Sequence, residues 1–339
     1  MAPANFTIFD PLFEDDGAAT IVKLAAAFGP HGMYSEEGLN EGIGENLPQR
    51  FDAFLNYVDQ NADVLADPEE AASIIARTNY FRETYAYGDD IKLPGIERFM
   101  HHPGLLEAAG KIFDRPVVEP AIVFANVYVP GQELAVHTDV PEFRGADRKK
   151  MPQWLLVVMH HSGLFERWRM PIATCVSWYH DADGGEFIFY PEGKDAAPVF
   201  HPARYNTAVI LDTDSVFHGV GRLSEKPAKI PDLRPGMTLG AEADGAWVVR
   251  DGDRVIARYD WADMRLSISW KAYCFADEAE RALWREHKEG LSLLTILDTL
   301  EADLRERGAL SGERPTAEEF AKLLVRTYIE FPPRVDRAA

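Results

Sequence analysis

The strongest constraint on the fold of this chain is the crowding of six short β-branched and aromatic runs between residues 121 and 275: AIVFANVYV, QWLLVVMH, ATCVSWYH, GEFIFY, NTAVILDT and RLSISWKAYCF. Loops rich in Gly, Pro and Asp separate them, as between strands. So many short strands point to a sandwich or barrel. Period-2 alternation assigns side chains to faces. In the first run Ile122, Phe124, Asn126 and Tyr128 share a face. In the last, Arg265, Ser267, Ser269 and Lys271 share one face and Leu266, Ile268 and Trp270 the other. A strand with so polar a face lies at the surface or lines a polar cavity.

The flanks read as helical. DDGAATIVKLAAAF, PQRFDAFLNYVDQ, PEEAASIIARTNYF and LLEAAGKIF carry apolar residues at helical spacing, which predicts a mainly helical layer over residues 1–120. After residue 276 the chain turns helical again. Thr316 and Glu319 ahead of Phe320, Leu323, Leu324 and Tyr328 form a capping box opening an amphipathic helix. Between about 223 and 262 a Pro-rich connection leads into AWVVR-DGD-RVIARY, where Asp251-Gly252 predicts an inserted hairpin. The expectation is one α+β domain over 339 residues: a helical N-terminal layer, a β core at 121–275 and C-terminal helices at 276–339.

Composition narrows the function. With 46% hydrophobic residues the chain can bury a core, and its formal net charge of -20 repels phosphate backbones and anionic membranes. Arg148, Lys149 and Lys150 form the one short basic cluster noted against that trend. Neither nucleic acid nor membrane is expected as a partner. No basic and apolar leader opens the chain, and no uncharged apolar run reaches the ~18 residues of a spanning helix, so a cytoplasmic protein is expected. Two cysteines without CxxC spacing, Cys175 and Cys274, read as buried small hydrophobes.

The chemistry centres on His137-Thr138-Asp139, which follows a strand and the Pro130-Gly131 turn. In extended backbone, positions i and i+2 point to one side, so His137 and Asp139 converge on a point that a metal could occupy. His218, in DTDSVFHGVG, lies at the end of a later strand. Two imidazoles and one carboxylate leave open positions opposite, an arrangement suited to a non-haem ferrous ion that must also bind a cosubstrate and O2. A closed structural site wants a fourth ligand, for which His160, His161, His180 and His201 are the available histidines. Arg265 and Ser267 offer a guanidinium fork with a hydroxyl two residues on, which matches a carboxylate.

Together NVYVPGQELAVHTD, GGEFIFY, VFHGVGR and RLSISW resemble the Fe(II)/2-oxoglutarate-dependent dioxygenase superfamily, whose members carry H-x-D, a distal His and Arg-x-Ser on a double-stranded β-helix. The resemblance covers about 121–275 and implies a jelly-roll, cupin-like core flanked by helices. It implies that His137, Asp139 and His218 bind Fe(II), and that Arg265 with Ser267 holds the distal carboxylate of 2-oxoglutarate. Asn126 and Tyr128 are candidates for further cosubstrate contacts. Arg265 follows His218 at a longer interval than the family pattern, which the inserted hairpin explains; Arg222 is the rival for the carboxylate. The implied reaction consumes O2, releases succinate and CO2, and oxidises a substrate C–H bond. Related halogenases have a small residue at the position of Asp139, so the retained carboxylate argues for hydroxylation, desaturation or ring closure.

The same resemblance implies that residues 140–182 build a lid and substrate wall. Trp154, Trp168, Trp178 and Tyr179 are candidates for an apolar pocket, and Arg167 or Arg169 for an anionic group on a small-molecule substrate such as an amino acid or secondary metabolite. Two other classes remain open: a cupin-type metal-dependent oxygenase or isomerase without 2-oxoglutarate, and a non-catalytic β-sandwich binding module. The helical ends either cover the barrel or pair with a second copy as a homodimer.

Overall fold

The two longest alternating runs find each other. In the computed structural model, which describes residues 4–34, 43, 47–62, 80–224, 231–286 and 291–333, β5 (Val117–Tyr128) and β17 (Arg265–Phe275) pair antiparallel. Tyr128 lies opposite Arg265, Asn126 opposite Ser267, Phe124 opposite Ser269 and Ile122 opposite Lys271. On the other edge of β17 runs β9 (Ile172–Trp178), with Trp178 opposite Ser267 and Thr174 opposite Lys271. The polar faces predicted by alternation therefore merge into one patch across three strands.

This trio is the centre of the major sheet. On one side follow β12 (Thr207–Leu211) and β1 (Phe6–Phe9). On the other follow β3 (Phe81–Tyr87), carrying β4 (Asp90–Ile91), and β2 (His31–Met33). Beyond them come β14 (Thr238–Ala241), β15 (Trp247–Asp251) and β16 (Arg254–Tyr259). A second antiparallel sheet, ordered β11 (Val199–His201), β10 (Phe187–Phe189), β13 (His218–Val220) and β6 (Leu134–His137), covers the inner face. Trp178, Val209 and Leu211 of the major sheet pack there against Phe187, Phe189 and Val216. A short ribbon joins β7 (Glu142–Phe143) and β8 (Arg169–Met170). Two facing antiparallel sheets flanked by helices make the α+β double-stranded β-helix that the strand pattern and the resemblance anticipate.

The outer face of the major sheet is apolar for the same period-2 reason. Leu266, Ile268 and Trp270 with Val123, Ala125 and Val127 are fully buried. They share a core with residues of helices Gly17–Ala27, Glu97–Met100 and Pro103–Phe113. Cys175 and Cys274 are buried there as well. Helix Glu278–Arg285 follows β17. Helices Leu293–Glu306 and Ala317–Tyr328 build a second core, in which Ile296, Leu300, Phe320 and Leu324 meet Trp154, Leu155 and Val158. The Thr316–Glu319 capping box forms as expected.

Three expectations change. QWLLVVMH is not a strand but the body of a helix, Gln153–Ser162, buried along most of its length. A segment apolar on every side has no period to distinguish strand from helix, and its bounds are set by Pro152 at the N-cap and by Gly163 in the left-handed region (φ 70°) at the C-cap. The N-terminal stretch is less helical than its periodicity predicts, since β1 to β4 join the major sheet. Its PEEAASIIARTNYF segment lies outside the described residues except for Tyr80 and Phe81. The hairpin at Asp251-Gly252 is present as β15–β16, yet β14 makes it a three-stranded meander that extends the major sheet through β2. Among the described residues no helix is long and apolar enough to cross a membrane.

Trp270 links the sheet to this helical cover: it is fully buried and its Nε1 donates to the Met100 carbonyl at 2.8 Å. Trp270→Ala should lower unfolding free energy by about 3–5 kcal/mol, read from urea midpoints at unchanged m-value.

Candidate metal centre

His137 ends β6 and His218 begins β13, and the two residues are cross-strand partners. Their rings lie 4.5 Å apart between centroids. His137 Nδ1 is 2.8 Å from the Ala135 carbonyl and His218 Nδ1 is 2.9 Å from the Val216 carbonyl. A carbonyl only accepts, so each Nδ1 carries the proton and each Nε2 keeps its lone pair. Those Nε2 atoms lie 3.8 and 3.7 Å from Asp139 Oδ1. Burial, and then the neighbouring His218, lowers the pKa of His137 and favours the neutral, ligating form. One donor atom from each of the three residues falls within 4.8 Å of the others. That spacing lets a divalent ion approach all three at ordinary bond lengths of ~2 Å.

Asp139 is oriented from behind. Its amide donates to the Thr213 carbonyl at 2.8 Å, while its Oδ2 accepts from Thr213 Oγ1 at 2.6 Å and from Lys271 Nζ at 2.6 Å. Only Oδ1 is left facing the imidazoles, so the carboxylate is arranged to give a single ligand atom. Burial alone would raise this carboxyl, but the Lys271 ammonium holds it well below the usual carboxylate range. Alternation puts Lys271 on the polar face, but the sequence alone does not assign it to the site. The available signal was a cation on the same face as Arg265, six residues along.

Beneath Lys271 lies Asp214, fully buried, 3.9 Å from Nζ and with neither carboxylate oxygen accepting a hydrogen bond. Burial pushes its carboxyl up to about 7. Arg169 is not in the cavity wall; its guanidinium pairs with Asp212 at 2.6 Å and so supports the turn that carries Thr213 and Asp214.

Arg265 is 1% exposed. Its Nε donates to the Gly185 carbonyl at 2.7 Å and its Nη1 to Ser267 Oγ at 3.1 Å, whereas Nη2 has no partner. No carboxylate among the described residues lies within ion-pairing distance of it. The guanidinium sits 5.1 Å from the Tyr128 ring centroid and 5.7 Å from that of Trp178. Burial pulls its pKa down to about 10, which leaves it charged at neutral pH. Gly185, at φ 66°, is required here: a Cβ would come within 2.7 Å of Arg265 Cδ. Aromatic contacts connect the two halves of the site, from His218 to Phe187 (5.6 Å) and from Phe187 to Trp178 (5.9 Å). Asn126 donates to Ser269 Oγ at 3.3 Å and its Oδ1 is unsatisfied. Arg222 is half-buried and also has an unpartnered Nε, yet Arg265 is the one sharing a face with Tyr128 and Ser267.

A cavity of about 920 Å³ opens beside His137 and Asp139. Residues from the 140–182 segment do wall it, but through Val140, Glu142, Arg148, Lys149, Gln153 and Ile172 rather than through tryptophans. Trp154 is core, packed edge-on to Phe51, and Trp178 lies against His201 and Arg265. His160, His161, His180 and His201 do not join the three-residue cluster.

No protein-family model and no curated protein matches this sequence. Among solved structures the chain is similar to a prolyl hydroxylase from Trichoplax adhaerens in complex with a hypoxia inducible factor peptide. The identity is 12%, the match covers 82% of this chain and 86% of that one, and the TM-score is 0.40. It is similar to the non-heme alpha ketoglutarate dependent epimerase SnoN from nogalamycin biosynthesis, at 9% identity, 82% and 83% coverage and TM-score 0.42. A third is HygX from Streptomyces hygroscopicus with nickel, 2-oxoglutarate and hygromycin B bound, at 10% identity, 80% and 84% coverage and TM-score 0.38.

Because Asp214 binds its proton more tightly folded than unfolded, stability should fall as pH rises from about 4 to about 7 and then level off. Asp214→Asn should flatten that limb and, at pH 8, raise unfolding free energy by roughly 1–3 kcal/mol, as measured by denaturant titration across pH.

Proposed function

We propose that this chain is an Fe(II)- and 2-oxoglutarate-dependent oxygenase that oxidises a C–H bond of a small molecule, by hydroxylation, with release of succinate and CO2. One observation carries the reading. A three-donor cluster with both imidazole Nε2 lone pairs available shares the space between two sheets with a buried guanidinium that has no carboxylate within ion-pairing distance among the described residues. The donor set suits a ferrous ion with positions left open, and the orphaned Nη2 suits a carboxylate arriving with the cosubstrate.

The ferrous ion, with 2-oxoglutarate and O2, supplies the oxidising chemistry when bound. The chain supplies placement and exclusion of water. His137, Asp139 and His218 hold the metal, and Lys271 with Thr213 keeps Asp139 to one ligating oxygen. Arg265 and Ser267 receive the distal carboxylate. Burial pushes the Tyr128 phenol up, so its hydroxyl stays a donor at neutral pH on the same face as Arg265. Phe187 and Trp178 close the space between the metal ligands and Arg265 against water. The strongly negative chain disfavours a nucleic-acid substrate, which leaves a small molecule entering the cavity beside Asp139.

The test is an anaerobic titration with Fe(II) and then 2-oxoglutarate, followed by visible absorption. A weak charge-transfer band should appear only with both additions and be absent in Asp139→Ala. Arg265→Ala should require about ten- to a hundred-fold more 2-oxoglutarate, the loss expected for a charged hydrogen-bonding partner. No band in a protein that still binds iron would move the assignment to a cupin-type enzyme without 2-oxoglutarate; no iron binding would leave a binding module. Thr213→Val should weaken Fe(II) binding about ten- to a hundred-fold, since it removes a hydrogen bond that orients the ligating carboxylate.

A further inference from the structure

We propose that the substrate carries an anionic group, a carboxylate or a phosphate, and that Arg82 receives it. The inference rests on the oxygenase reading, in that it treats the cavity beside Asp139 as the substrate chamber. Arg82 lies on β3 opposite Asn126, which lies opposite Ser267, so it is in the same row of the major sheet as two candidate cosubstrate residues. Its guanidinium carbon is 3.9 Å from the Phe124 ring centroid and 4.9 Å from that of Tyr34, and it lines the cavity. Ring faces hold the cation by its flat sides and leave the edge of the fork free for two parallel hydrogen bonds.

Arg82 is also a half-buried charge in the cavity wall that no carboxylate compensates among the described residues. Among the described residues it has no carboxylate within ion-pairing distance and no hydrogen-bond partner. Of the other cations lining the cavity, Arg50 is engaged with Asp52 and the Thr138 carbonyl, Lys271 with Asp139, Arg285 with Glu119 and Lys150 with Asp147, while Arg148 and Lys149 are exposed to solvent. The inner carboxylates are engaged too. Glu119 pairs with Arg285 at 2.8 Å, and Glu142 accepts from Tyr273 Oη at 2.7 Å and Trp284 Nε1 at 3.3 Å. Arg82 is half-buried, unlike the exposed Arg148-Lys149-Lys150 cluster that also lines the cavity, so solvent screens its charge less. Phe124 against it, with Tyr80 and Ile122 in the same lining, gives the wall an apolar character, so the anion would be attached to an apolar or aromatic body. The volume of about 920 Å³ accommodates a molecule of that kind.

The experiment uses the full chain loaded anaerobically with Fe(II) and 2-oxoglutarate. It is titrated calorimetrically with 3-phenylpropanoate, 2-phenylethyl phosphate and the neutral control 3-phenylpropanamide. At least one anion should bind ten-fold or more tightly than the amide, and the better of the two identifies the group. Arg82→Met should remove that advantage while the 2-oxoglutarate needed for the charge-transfer band changes less than two-fold. Arg82→Lys, which keeps the charge without the fork, should retain part of it. Equal binding of amide and anions, no binding of any probe, or intact discrimination in Arg82→Met would overturn the proposal. So would loss of the 2-oxoglutarate band in Arg82→Met, which would assign Arg82 to the cosubstrate. A wild type without the band instead defeats the oxygenase reading, and the same titrations on the metal-loaded chain without 2-oxoglutarate then decide Arg82 separately.

Discussion

The register between β5 and β17 holds the site together. Setting Arg265 against Tyr128 and Lys271 against Ile122 keeps every second residue of β17 on the inner face from Arg265 to Lys271, after which the register shifts. A slip of one residue would exchange Arg265, Ser267 and Lys271 for Leu266, Ile268 and Trp270. It would put two charges into a core closed by helices and three apolar side chains into a polar chamber. The burial of Leu266, Ile268 and Trp270 on the outer face therefore secures the inner one, because the same backbone serves both.

The inner face concentrates charge that a core ordinarily excludes, and its two cations are handled differently. Lys271 is neutralised within the chain by Asp139, with Asp214 below. Arg265 has only a carbonyl, a hydroxyl and two ring faces. A buried charge without an ion-pair partner costs several kcal/mol, and hydrogen bonds, ring faces and the more distant Glu186 carboxylate offset part of that. What remains favours an incoming carboxylate at Arg265 and at no point along Lys271. Electrostatics thus separates a cation that orients a candidate metal ligand from one left without an ion-pair partner among the described residues, although both stand on one strand face. Departures from ordinary core composition of this kind are expected at functional sites.

How much was legible before the structure depended on the range of the interaction. His137 and Asp139 share a side because two residues of extended backbone place them so, and β5, β9, β10, β12 and β17 follow from local composition. The Gln153–Ser162 helix was misread because a uniformly apolar segment carries no period. Trp154 and Arg169 were plausible wall residues by type alone, yet one is absorbed by the helical core and the other by Asp212. Nothing near Arg82 in the sequence marks it, since Phe124 and Tyr34 reach it only through the order of β2, β3 and β5 in the sheet.

By itself the sequence determined the long strands of the core and the hairpin at Asp251-Gly252, the face on which the polar residues of β5 and β17 lie, and the residue types able to ligate a metal and bind a carboxylate. These are consequences of backbone geometry over a few residues, and they hold wherever the strand is finally placed. Tertiary structure alone decided which donors meet: His218 beside His137, Lys271 on Asp139, and Arg265 left without an ion-pairing carboxylate among the described residues while Arg169 acquires Asp212. Charge pairing depends on distances of a few ångströms between residues far apart in the chain. Those distances are set by sheet order and register, which no local pattern encodes.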